Sequence, residues 1–160
     1  MSFDIFCIAW ENGDRGVGDA AAALAVLRSR VQHLDETEGY FALEFNDGSF
    51  VALCADGLAG SEKPFDGGMF HLTGGSWTLT AMQLIYDFAS AGRLIIVPQD
   101  PPRAILPFEE LRVDLPPNFL RDPEPIVVRN GHELGLAVSG RIDELPALKK
   151  PQAEGNADGG

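Results

Sequence analysis

The segment Tyr40 to Cys54 constrains this chain more than any other. Two apolar runs flank Asn46-Asp47-Gly48, and Asp-Gly is a strong hairpin signal because both central residues of a type I′ turn need positive φ. With Asp47 and Gly48 as a two-residue loop, Phe45 faces Phe50, Leu43 faces Ala52 and Phe41 faces Cys54. All six then point to one side, the side a core would bury, and Glu44 points away from it. A hairpin here argues against an all-parallel doubly wound sheet.

The remaining elements are read around that hairpin. Phe3 to Ala9 reads as a buried first strand. The polar stretch Glu11 to Asp19, with Gly13, Gly16 and Gly18, reads as a flexible connection. Asp19 sits where an N-cap belongs, and Ala20, Ala23, Leu24, Leu27, Val31 and Leu34 recur at helical spacing, so a helix is predicted from about Ala20 to His33. Ala55 to Gly68 reads as a loop and Met69 to Thr73 as a third meander strand. Gly74-Gly75-Ser76 opens a second helix, about Trp77 to Ala91, with Ser76 as cap and Gly92 at its C-terminal end. Leu94 to Val97 is too short for a helix and reads as a strand buried on both faces. Strand, helix, strand in this order implies a crossover and parallel pairing.

Residues 98–125 hold eight of the 11 prolines, so long regular structure is not expected there, beyond one turn from Pro107 to Arg112. Ile126 to Arg129 reads as a last strand, and Asn130 caps a third helix containing Leu134, Ala137 and Val138. The expected fold is α+β: a single mixed, largely antiparallel sheet in the order β-α-β-β-β-α-β-β-α, with helices mostly on one face. Residues 1–145 make one globular domain, which suits a chain of 160 residues, and 146–160 read as a disordered tail.

Motifs for chemistry are sparse. The spacing G-x-x-G-x-G at Gly13, Gly16 and Gly18 is neither a dinucleotide fingerprint nor a phosphate loop. His33, His71 and His132 show no metal-ligand spacing, so no metal or cofactor is expected. No serine lies in G-x-S-x-G, and Cys7 and Cys54 sit among apolar neighbours, as small buried hydrophobes do. An enzyme is therefore not the expected reading. Trp10 and Trp77 fall at element ends, as core-rim residues or as binding anchors.

Charge is more informative. The net charge is −12, and residues 1–75 carry four basic and 12 acidic side chains. Nucleic acid is thus not an expected ligand, because phosphate contacts need clustered Lys and Arg. No apolar run reaches the ~20 residues a spanning helix needs, and the start lacks a basic leader, so a cytoplasmic protein is expected. An acidic surface favours a basic protein partner. The candidate partner-facing residues are Glu11, Asp14, Asp35, Glu36, Glu38, Asp56 and Asp66. The alternative is a domain without catalytic activity that self-associates, as a homodimer, through a sheet edge or the proline-rich segment.

Several stretches also carry a resemblance. They are Phe3-Asp4-Ile5-Phe6 with Glu11-Asn12-Gly13, Leu43 to Ser49, the unit Leu84 to Val97, and Ile126 to Gly131. Together they are similar to a group of small bacterial single-domain α/β proteins of unassigned function that resemble immunity-type proteins of toxin systems. That resemblance implies a binder that blocks a partner, and it carries over no catalytic residue.

Overall fold

The structure is a computed structural model and describes residues 2–60, 62–73, 77–99, 102–121, 123–140 and 145. Its centre is an eight-stranded mixed sheet in the order β10-β9-β8-β1-β7-β6-β5-β4. The strands are β1 (Ser2–Ile8), β4 (His33–Thr37), β5 (Tyr40–Glu44), β6 (Phe50–Cys54), β7 (Gly67–Thr73), β8 (Ile95–Pro98), β9 (Ile105–Leu106) and β10 (Ile126–Val127). A separate two-stranded ribbon is formed by β2 (Trp10–Glu11) and β3 (Asp14–Arg15). Three helices, α1 (Ala20–Arg30), α2 (Leu79–Gly92) and α3 (Gly131–Val138), pack on one face of the sheet. The α+β class, with one sheet that is mostly antiparallel, is as the sequence implies.

The core is dictated by strand alternation. Ile5 and Cys7 of β1, Phe41 and Leu43 of β5, Val51 and Leu53 of β6, and Phe70 and Leu72 of β7 all point toward the helices and are buried. They meet Ala23 and Leu27 of α1, the apolar stripe of α2 including Ile85 and Phe88, and Leu134 of α3. Edge-to-face contacts of Phe88 with Phe65 and Phe70 lock α2 onto this layer. Asn130 caps α3 as expected, accepting from the Glu133 amide at 2.9 Å.

Several boundaries and pairings differ from the sequence reading. The first helix stops at Arg30, and His33 begins β4, an edge strand paired to β5. His33-Leu34-Asp35-Glu36-Thr37 carries one apolar side chain among polar ones, so its strand character comes from a turn rather than a pattern. Glu38 and Gly39 both have positive φ (52° and 86°), the requirement of a two-residue hairpin turn. Asn12 and Gly13 do the same (53° and 87°) for the ribbon. The stretch read as flexible is therefore folded, and its tip is tied by Gly13 N–H to the Asp114 carbonyl at 2.9 Å.

The register of the central hairpin is also shifted. Gly48 N–H donates to the Phe45 carbonyl, and Phe45 N–H to that of Ser49. The loop thus has three residues, with only Gly48 at positive φ (86°). An odd loop moves the register by one, so Leu43 faces Val51 and Phe41 faces Leu53. Phe50 and Cys54 point to the other face and are exposed.

The helix α2 is capped by Thr78, whose side chain accepts from the Ala81 amide, and it ends on Arg93 in the left-handed region rather than on Gly92. The Ser76 cap lies outside the described residues, as does the expected tail 146–160. The strands β7 and β8 do run parallel, but β1 lies between them and pairs antiparallel with both.

The proline-rich segment folds into two 3-10 turns, Glu109–Asp114 and Pro117–Phe119. It forms a second apolar cluster, Ile95, Val97, Leu106, Leu111 and Leu115, on the face opposite the helices. That cluster covers only the β8–β10 end. From β4 to β1 no described helix lies on the same face.

Candidate functional site

Two surface regions bring together the chain's acids and its exposed aromatics. The first is a corner at the β4–β5 turn. The loop after β6 folds back against this turn because Leu58 and Phe65 are buried as plugs. Within it Gly57 passes so close to the Lys63 carbonyl that a Cβ would lie 2.6 Å from that oxygen. The result is an open cavity of about 550 Å³, lined by Glu36, Glu38, Asp56, Glu62 and Lys63. The Gly39 amide donates to Glu36 Oε2 at 3.2 Å, and Lys63 Nζ lies 3.6 Å from Asp56 Oδ2. The carboxylates outnumber the ammonium there, so the corner presents negative potential to solvent.

The second region is the uncovered sheet face. Directly opposed residues share a face, so the registers place Tyr40, Cys54, Met69 and Phe6 in one row across four strands. A parallel row holds Asp35, Ala42, Ala52, His71 and Asp4. Glu44 and Phe50 begin a third. Phe6, Tyr40 and Phe50 are 36%, 45% and 48% exposed, which is unusual for aromatics held on a rigid sheet. His71 Nδ1 lies 2.7 Å from Asp4 Oδ1.

The acids singled out from the sequence are divided by the fold. Glu36, Glu38 and Asp56 converge on the corner, joined by Glu62, which sequence reasoning did not single out. Asp35 is the strand neighbour of Glu36 and so projects to the opposite side, onto the uncovered face. Asp66 is paired with Arg15 at 3.0 Å, and Arg15 also lies over the Trp10 ring, 5.6 Å from its centroid. Glu11 and Asp14 face each other across the ribbon, away from the corner. Trp10 packs on Phe119 and Trp77 on Phe3, each at the rim of a cluster.

Among the described residues no group of three or more His, Cys, Asp and Glu side chains is placed to hold a metal ion. Burial raises the Cys7 thiol far above its ordinary range, which leaves it protonated. Cys54, expected to be buried, is exposed because of the hairpin register. No described helix is long and apolar enough to cross a membrane.

Comparison with known proteins finds no matching family model, no matching curated sequence and no matching solved structure.

Proposed function

We propose that this chain is an acidic protein-binding domain whose partner is basic. The carrying observation is the corner cavity, where Glu36, Glu38, Asp56 and Glu62 meet beside a single lysine. Such a surface accelerates encounter with a basic partner and repels polyanions. An inhibitor of immunity type is the finer form of this reading, supported by the sequence resemblance.

The test is affinity capture from a lysate of the source organism at low salt, with elution at high salt. The native protein should retain a stoichiometric basic protein. A triple variant, Glu36→Gln with Glu38→Gln and Asp56→Asn, should lose most of it. For the captured pair, the association rate should fall at least about tenfold as the screening length shrinks from ~30 Å to ~3 Å. Equal retention by the variant, or none by the native protein, overturns the reading.

A second reading, self-association, is favoured by the exposed Phe6, Tyr40 and Phe50. The edge route is opposed by charge, since Asp35 and Glu36 of one β4 would meet the same acids of another. A sedimentation experiment showing a monomer at micromolar concentration removes this reading.

A further inference from the structure

We infer that the uncovered face of the sheet, from β5 to β1, is the seat of a basic amphipathic helix supplied by the partner. This placement rests on the chain being a binder of a basic partner, and adds where and in what form that partner docks.

A sheet in a packed domain buries both faces against other layers unless one of them is polar. Here α1, α2 and α3 cover one face, and the proline-rich segment covers the β8–β10 end of the other. Among the described residues no helix lies over the remainder, and it is not polar throughout. Ala42 and Ala52 are directly opposed and form a low floor. Tyr40 and Cys54 stand along one side of that floor, Glu44 and Phe50 along the other. Four residue steps along a strand separate these walls, about 14 Å at ~3.4 Å per step. An α-helix with its side chains is about 10–12 Å across, so a helix lying across the strands rests over the floor with its lower side chains between the walls. Asp35 lies at one end of the floor and His71 with Asp4 at the other, and a helix crossing the floor overlies them.

Charge selects the occupant. Asp35 and Glu44 flank the apolar floor, with His33 opposite Glu44; Asp4 is bonded to His71, and Arg15, beside Phe6 and Met69, is paired with Asp66, so the face stays net negative in a chain that carries −12. A second copy placed face to face would set two surfaces of the same net negative sign against each other. A helix with an apolar stripe and flanking Lys or Arg sets opposite charges there instead, with its apolar side chains on Ala42, Ala52, Met69 and Phe6. The acidic corner lies at the β4–β5 turn and can attract the same partner from the side before docking.

The probe is a synthetic Leu/Lys peptide of about 18 residues, helical and amphipathic, with a Leu/Glu peptide of the same pattern as control. Binding is followed by fluorescence anisotropy and by amide chemical shifts of the full-length protein. The Leu/Lys peptide should shift Phe6, Ala42, Ala52 and Met69. Phe6→Ser and Tyr40→Ser should each weaken it at least about tenfold, as loss of an anchor residue does. Ala42→Lys, which raises the floor and adds a positive charge, gives a second and independent loss if a Ser variant fails to fold. Unchanged affinity in Ala42→Lys and the folded Ser variants, together with weaker binding in Glu36→Gln/Glu38→Gln, overturns the placement while leaving a basic partner intact. Failure of the Leu/Lys peptide to bind at low salt, or equal binding of the Leu/Glu peptide, overturns both. A dimer that dissociates on Phe6→Ser also overturns it, because a second copy then occupies the face.

Discussion

Cys7 and Cys54 lie on strands of the same sheet, yet their chemistry differs by which side of the sheet they face. Cys7 points into the core and its thiol is held protonated by burial, whereas Cys54 is exposed. In the native protein a thiol reagent should therefore modify Cys54 quickly and Cys7 only on unfolding, so that one equivalent reacts before denaturant and a second after it. Glu133 shows the same dependence on place. Its carboxylate is nearly buried and accepts from the Arg129 backbone amide at 2.9 Å and from its guanidinium at 2.7 Å. Those hydrogen bonds from Arg129 hold its carboxyl below the usual carboxylate range, against the opposing effect of burial. A lowered pKa in the folded state means stability that is present above the ordinary value of ~4.3 and lost as pH falls through the folded value. Glu133→Gln should cost about 1–2 kcal/mol at neutral pH, at the lower end because Arg129 is largely exposed. The difference should shrink in urea unfolding at about pH 3. A gap of equal size at both pH values would assign the effect to packing instead.

At the scale of elements, the turns decide more than the strands do. The three-residue loop Asn46-Asp47-Gly48 selects which face of β6 is buried. Deleting Asn46 leaves Asp47-Gly48 as a two-residue loop between the same flanking residues, Phe45 and Ser49, so the Leu43–Val51 and Phe41–Leu53 pairs are kept. Val51 and Leu53 therefore stay in the core, and Phe50 and Cys54 stay outside it. The deletion variant should keep cooperative unfolding and near-UV ellipticity, whereas Gly48→Ala, which meets nothing within 4 Å, should cost about 1–2 kcal/mol from its backbone conformation. The same turn explains what the sequence made legible. Both strands of the hairpin were readable from their apolar runs, but pairing depended on one residue of loop length that Asp-Gly alone does not settle. The edge strand β4 was hidden because Leu34 fits the helical stripe of α1 equally well, and nothing apolar follows it. Asn12-Gly13 and Glu38-Gly39 were the available signals for the missed hairpins. The caps at Asp19 and Asn130 and the buried run of β8 were legible because each rests on local chemistry.

Over the whole molecule, acidity was legible as composition but its arrangement was not. Adjacent residues of one strand, Asp35 and Glu36, belong to different surfaces, and the Ala55–Gly68 loop had to be folded before Asp56 and Glu62 could be placed beside Glu38. The bare face was equally hidden, because Phe50 and Cys54 read as core residues under the expected register. Stability should be graded across the same map. Backbone amides of β1, β7 and β8, bonded in the middle of the sheet and covered by α2, should exchange most slowly with deuterium. Those of β4 and of the β2–β3 ribbon should exchange fastest, and uniform protection across the sheet would contradict this gradient.

The central position of β1 has a consequence for how the chain is made. Ile8 pairs with Gly67 on one side and with Ile95 on the other, so β1 leaves the ribosome long before either neighbour exists. At about 5–20 residues per second, it waits several seconds with Phe3, Ile5, Phe6 and Ile8 unpaired. The β4–β7 meander can close from local contacts in that interval, giving a nascent platform with a vacant edge at β7 on which β1 docks before α2 and β8 seal it. The slow step of folding is then the return of the first strand to the middle of a sheet that was started without it.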